Sequence, residues 1–69
     1  MKIKLNGDEY DTDAGTIGAL LEELDIMPGR VAVELNIKII KKDRYSGTVI
    51  KEGDEIEIVS FVGGGCNKS

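Results

Sequence analysis

The chain has 69 residues and a formal net charge of −4, with 41% hydrophobic and 32% charged residues. This composition is typical of one small globular domain, near the lower size limit for folding alone, and it excludes a disordered chain. One cysteine and no histidine exclude an internal disulfide and a metal site built from several Cys and His ligands.

The charge and the apolar pattern exclude further classes. Phosphate binding needs a basic face, so a net charge of −4 argues against nucleic acid as the main partner and favours a basic protein surface. No apolar run approaches membrane-spanning length, and the charged, alternating start of the sequence does not resemble a signal peptide. We therefore expect a cytoplasmic protein that binds neither membrane nor nucleic acid.

The sequence opens with a predicted β-hairpin. Residues 2–6 alternate with period 2, which places Ile3 and Leu5 toward a core. Asn6-Gly7 is a strong signal for a two-residue turn. Residues 9–12 then form the returning strand, whose polar composition indicates a sheet edge.

An apolar stripe predicts one helix after the hairpin. Thr16 is suited to the N-cap, and Pro28 predicts an end at Met27, because the residue before a proline avoids the helical conformation. Gly18 weakens the helix by ~1 kcal/mol relative to Ala, and the sequence shows no reason for it. The stripe has the spacing i, i+3, i+4, i+7: Ile17, Leu20, Leu21 and Leu24.

The second half of the chain predicts further strands. A turn at Asn36-Ile37 joins the first two, although Ile37 favours a longer loop because β-branched residues resist positive φ. One helical turn is expected within the polar connection that follows, around residues 43–45. The predicted strands are residues 31–35, 38–40 and 55–62, and the short segment 48–50 is expected to be partly buried.

The order of these elements predicts an α+β domain in two layers. Stacking the helix across a mixed sheet of four to five strands buries the apolar side of both. The domain is predicted to span residues 1–62, and residues 63–69 to form a flexible Gly-rich tail, since glycine is entropically costly to order. Three glycines reach ~10 Å and fit a channel too narrow for side chains; the alternative is a frayed terminus without function.

The last strand predicts a docking surface next to the tail. Alternation turns Ile56 and Ile58 toward the core, and Val59 and Phe61 outward. If Ala32 lies on the same face of a neighbouring strand, Ala32, Val59 and Phe61 form an exposed apolar patch of the kind that marks a partner surface. The alternative is that the strand twists and Phe61 covers the end of the core.

Residues 28–36, PGRVAVELN, and residues 53–65, GDEIEIVSFVGGG, carry a resemblance to a known family. Together with the order of elements, they resemble the sulfur carriers of thiamine biosynthesis (ThiS-like), which have the ubiquitin-like β-grasp fold. The resemblance spans residues 1–65. It implies a protein co-substrate and not an enzyme, with no bound cofactor and no acid, base or metal of its own.

The resemblance also implies chemistry on the tail, Gly63-Gly64-Gly65. An adenylating (E1-like) enzyme would use ATP to activate the carboxyl group of Gly65, with Gly64 as the second choice. A persulfide from a donor such as a cysteine desulfurase would then displace AMP, and the resulting thiocarboxylate would serve thiazole synthase. Because Gly65 is followed by four residues, we expect a precursor from which a protease removes residues 66–69; a divergent terminus is the alternative.

Other functions stay open from the sequence. A carrier for molybdopterin or for cysteine or homocysteine synthesis would share the fold and the tail. A ubiquitin-like binding module without sulfur chemistry would tolerate loss of Gly64 and Gly65, whereas a carrier would not. Cys66 as the sulfur-bearing thiol is disfavoured, because only Lys68 lies nearby in the sequence to activate it.

Overall fold

The computed structural model describes residues 1–61, which form one mixed sheet and one α-helix. This architecture confirms the predicted α+β class. No helix within these residues is long and apolar enough to cross a membrane. The elements are β1 (Lys2–Leu5), β2 (Asp8–Asp11), α1 (Ile17–Glu23), a first 3-10 helix (Pro28–Arg30), β3 (Val31–Leu35), β4 (Lys38–Ile40), a second 3-10 helix (Lys42–Gly47) and β5 (Glu55–Ser60).

The strand order is β2-β1-β5-β3-β4, so the last strand described is the central strand of the sheet. β5 runs parallel to β1 and antiparallel to β3, and the hairpins β1–β2 and β3–β4 supply the two edges. Residues 48–50 are partly buried, as expected, with Ile50 in the core. That segment makes only an isolated bridge between Val49 and Thr16, and Val49 is 60% exposed.

The core lies between α1 and one face of the sheet, which we call the inner face. Burial of each large apolar side chain there contributes about 1.5–3 kcal/mol. The predicted helical stripe is confirmed for its first three members, whereas Leu24 is half-buried at the C-cap. The most deeply buried residues, each at most 2% exposed, are Ile3, Ile17, Leu20, Leu21, Val33 and Ile56.

The start of α1 confirms one prediction and explains one residue. Thr16 is the N-cap, and its Oγ1 accepts a hydrogen bond from the N–H of Ala19 at 3.1 Å. Gly18 lies against the second 3-10 helix, where a Cβ at this position would be 3.3 Å from Cα of Ser46. That distance is tight against backbone, so the glycine permits close packing between the helix and the later turn.

The end of α1 differs from the prediction. The helix ends at Glu23 and not at Met27. Asp25 adopts a φ of 59°, and the N–H of Ile26 donates to the carbonyl of Leu21 at 2.8 Å. These are the features of a Schellman termination, which closes the helix before the proline can act.

Both hairpins turn through two residues with positive φ. Asn6 and Gly7 have φ values of 52° and 87°, and Asn36 and Ile37 have 51° and 78°. The longer loop expected at Ile37 is therefore wrong. Ile37 adopts a conformation that a β-branched residue rarely takes, and its side chain is 87% exposed.

Candidate functional site

An apolar patch lies on the outer face of the sheet, the face that points away from α1. Ala32 on β3 and Val59 on β5 are directly opposite each other and so share this face. Phe61 is two residues after Val59 and therefore points to the same face. Its N–H donates to the carbonyl of Arg30 at 2.8 Å. Val59 is 60% exposed and Phe61 63% exposed, so Phe61 does not cover the end of the core. We call Ala32, Val59 and Phe61 the outer-face patch.

Ile39 lies on the same face and was missed by the sequence reasoning. The β3–β4 register pairs Ile39 with Glu34, and the β3–β5 register pairs Glu34 with Glu57. Ile39 is 74% exposed and adds apolar area toward the β4 edge. Its neighbour Ile40 points to the other face, and only the strand register decides which of two adjacent isoleucines points outward.

An acidic pair borders the outer-face patch. Glu34 and Glu57 lie directly opposite each other on β3 and β5, an arrangement that is destabilising for like charges. Neither forms an ion pair within residues 1–61, where the ion pair that does form joins the Met1 ammonium to Asp11. This part of the outer face is therefore suited to receive a cationic side chain from another molecule.

The last described residue, Phe61, belongs to this surface. The hydrogen bond from Phe61 to Arg30 pairs the end of the β5 strand with the residue just before β3. The predicted tail residues Gly63, Gly64 and Gly65, together with residues 66–69, lie outside the described residues. Their reaction and the docking role of the outer-face patch therefore stay predictions.

The inner side of the sheet carries a hydrogen-bonded group that joins β2 to α1. Oη of Tyr10 donates to Oε2 of Glu23 at 2.6 Å, and Oγ1 of Thr12 donates to Oε1 at 2.8 Å. Both bonds lower the pKa of Glu23, and the bond from Tyr10 has the larger effect. The bond between Tyr10 and Glu23 also raises the pKa of Tyr10. Tyr10 is opposite the buried Ile3, so the group lies away from the outer-face patch and its role is to hold the fold.

The described residues, 1–61, contain no candidate metal centre. Within residues 1–61, no three His, Cys, Asp or Glu side chains are placed to hold a metal ion. What the described surface does offer is an apolar face with an acidic pair, next to the point where the chain continues toward three glycines.

Comparison with known proteins gives consistent matches. The ThiS family matches residues 3–65. The "Sulfur carrier protein ThiS" of Bacillus subtilis (strain 168) is 43% identical over 65 residues, which cover 91% of this chain and 98% of that protein. The crystal structure of a "thiamine biosynthesis protein (ThiS)" from Geobacter metallireducens superposes with a TM-score of 0.80 at 30% identity, covering 94% of this chain and 100% of that one.

A longer protein also contains a similar region. A "Thiazole synthase" from Paramagnetospirillum magneticum (strain ATCC 700264 / AMB-1) is 41% identical over 70 residues, covering 100% of this chain. The chain spans only 22% of the length of that relative. The similarity therefore concerns one region of the thiazole synthase and not the whole of it.

Proposed function

Because the chain belongs to the ThiS family, whose β-grasp fold it has, we propose that it acts as a sulfur carrier of thiamine biosynthesis, a protein co-substrate and not an enzyme. The observation that carries this proposal is the family match over residues 3–65. That match includes the whole of the described fold beyond Lys2 and continues through Gly65. It therefore covers both the docking domain and the proposed reactive tail.

The proposed reaction takes place on the tail, inside a partner. The carboxylate of Gly65 attacks the α-phosphate of ATP in an E1-like adenylating enzyme, pyrophosphate leaves, and an acyl-adenylate forms. A persulfide supplied by a cysteine desulfurase displaces AMP to give an acyl disulfide, and a second thiol attacks its outer sulfur, which releases the thiocarboxylate and leaves a disulfide between the two thiols. Because Gly65 needs a free carboxylate, removal of residues 66–69 by a protease precedes these steps.

The domain contributes docking and delivery. Apolar side chains of the adenylating enzyme pack against the outer-face patch, and a cation from the same enzyme lies near Glu34 and Glu57. The three glycines then enter the active site, where a side chain would obstruct them. A thiazole synthase that contains a region similar to this chain supports thiazole synthase as the acceptor of the sulfur.

The direct test is the intact mass of the carrier. Two chains, one ending at Gly65 and one at Ser69, are incubated with ATP, cysteine, a cysteine desulfurase and the adenylating enzyme of the same organism. We expect the chain ending at Gly65 to gain the mass of one sulfur in place of one oxygen, and the chain ending at Ser69 to stay unchanged.

The control is Gly64→Val in the chain that ends at Gly65. A β-branched side chain should block entry to the narrow channel and abolish ATP–pyrophosphate exchange, while the circular dichroism spectrum stays that of the unchanged domain. Normal exchange by the Gly64→Val chain would refute the narrow channel. Absence of both exchange and mass change in the Gly65 chain would refute the proposed function itself.

A further inference from the structure

The charges of the described domain are separated between its two edges. Residues 8–25 contain seven Asp or Glu and no Lys or Arg, whereas residues 28–47 contain five Lys or Arg and only two Asp or Glu. The first segment includes β2 and the second includes β4, and these strands are the opposite edges of the sheet. A protein that is acidic overall therefore has one basic edge.

Part of that basic edge lies beside Phe61, the last described residue. Arg30 accepts the backbone hydrogen bond of Phe61 at 2.8 Å. β4 is antiparallel to β3, so the residues that follow Ile40 continue toward the start of β3, next to Arg30. We call Arg30, Lys41 and Lys42 the tail-root cluster, and all three side chains are exposed.

Lys42 lies against the first 3-10 helix. A Cβ built on Gly29 would be 3.4 Å from Nζ of Lys42, which places this ammonium beside the residue that precedes Arg30. Glu22 and Asp43 line the same hollow but lie beyond ion-pair distance. Within residues 1–61, no member of the tail-root cluster forms an ion pair, so its charges are available to another molecule.

We infer that the tail-root cluster is an electrostatic docking site for an acidic surface of the adenylating enzyme, at the entrance of the channel that receives the tail. The inference rests on the proposed function. From Phe61 to Gly65 a fully extended chain could span about 13–14 Å, which is enough to separate the cluster from the ATP phosphates at the Gly65 carboxylate. The cluster therefore faces the protein around the channel entrance and not the nucleotide.

The acidic pair and the tail-root cluster have opposite signs. The acidic pair Glu34 and Glu57 favours a cation on the partner, and the tail-root cluster favours acidic side chains. Opposite charges at separate positions on one protein exclude rotated docking poses and accelerate the correct encounter. The tail then arrives at the channel in one orientation.

The test compares two double charge reversals that change the net charge equally. Arg30→Glu with Lys42→Glu reverses two of the three tail-root charges, and Lys2→Glu with Lys51→Glu is the matched control near the other end of β5. The association rate constant with the adenylating enzyme is measured by stopped flow at low and high salt, for the full chain and for the chain ending at Gly65. We expect the first pair to slow association by about tenfold or more at low salt, with a smaller difference at high salt, and the control to have a much smaller effect.

Two outcomes separate failure of the inference from failure of the proposed function, and a second set of variants replaces the first if it does not fold. Equal slowing by both pairs would mean that only the net charge matters, and would overturn the inference while the proposed function stands. Failure of the unsubstituted chain to bind in either form would instead refute the proposed function. If the double reversal does not fold, Arg30→Gln and Lys42→Gln are compared with Lys2→Gln and Lys51→Gln, and equal effects again overturn the inference.

Discussion

The side-chain carboxamide of Asn6 is hydrogen-bonded in both directions to the backbone of Ile58. Oδ1 of Asn6 accepts from the N–H of Ile58 at 2.8 Å, and Nδ2 donates to the carbonyl of Ile58 at 3.3 Å. Asn6 begins the turn after β1, so the β1 backbone no longer pairs with β5 beyond this point. The side chain of Asn6 takes over and hydrogen-bonds the β5 backbone instead. The supported residue directly precedes Val59 of the outer-face patch.

Replacing Asn6 with glycine tests the value of this pairing. Glycine tolerates the φ of 52° at this position, so Asn6→Gly removes chiefly the two hydrogen bonds. We expect the free energy of unfolding in urea to fall by about 1–2 kcal/mol, and the Ile58 amide to exchange faster. Asn6→Asp keeps the acceptor and loses the donor, and should be intermediate; an unchanged stability in Asn6→Gly would contradict this role.

The turn at Ile37 carries a removable strain. Its φ of 78° is close to the 87° of Gly7 in the other hairpin, and its side chain is 87% exposed, so little packing is lost on truncation. We predict that Ile37→Gly raises the free energy of unfolding by about 1 kcal/mol. Gly7→Ile is the reciprocal control and should lower it. No gain in Ile37→Gly would show that the turn stores no strain.

Two valines with equal exposure test the docking surface. Val59 and Val49 are each 60% exposed, but only Val59 belongs to the outer-face patch. Val59→Asp should weaken binding to the adenylating enzyme by about 2 kcal/mol or more if it lies at the centre of the interface, and Val49→Asp should not. Titration calorimetry measures the affinities, and the docking role is wrong if both folded variants bind like the unsubstituted chain.

The hydrogen bonds to Glu23 predict a pH dependence of stability. They lower the pKa of Glu23 below its ordinary value of 4.5, so the native state favours the carboxylate. This contribution is complete above the ordinary value and is lost as the pH falls through the lowered pKa. Glu23→Gln should therefore be less stable at neutral pH and lose less stability in acid.

The matched control for this prediction is Glu22→Gln. Within residues 1–61, Glu22 accepts no side-chain hydrogen bond like those that reach Glu23. Its substitution should leave the acid-induced loss of stability close to that of the unsubstituted chain. Thermal unfolding across the acidic range measures all three proteins, and identical pH profiles for Glu23→Gln and the unsubstituted chain would reject the role assigned to Glu23.

Local signals in the sequence predicted the elements that depend on local physics. The hydroxyl of Thr16, the apolar spacing of α1 and the Asn6-Gly7 turn each act within a few residues, and all three are confirmed. The end of α1 was not predictable in the same way. Asp25 ends the helix through a positive φ that glycine or asparagine would have signalled more clearly.

Contacts between segments that are distant in the sequence could not be predicted from local sequence patterns. The reason for Gly18 is Ser46, which follows far along the chain. The outward direction of Ile39 depends on the β3–β4 register, and the gathering of Arg30 with Lys42 depends on how β4 continues beside β3. The tail was predicted from its three consecutive glycines, but the chemistry proposed for it rests on the family and not on geometry.

The parallel pairing of β1 with β5 has a mechanical consequence. A force that pulls the tail away from the start of the chain acts along these adjacent strands in opposite directions. It loads the bonds from Lys4 to Asp54 and from Asn6 to Ile56 together, in shear, instead of opening them one after another as a sideways pull would. Single-molecule extension from the two ends should show a high rupture force compared with extension across the β3–β4 hairpin. The proposed entry of the tail into an enzyme would therefore load bonds that break together and not one by one.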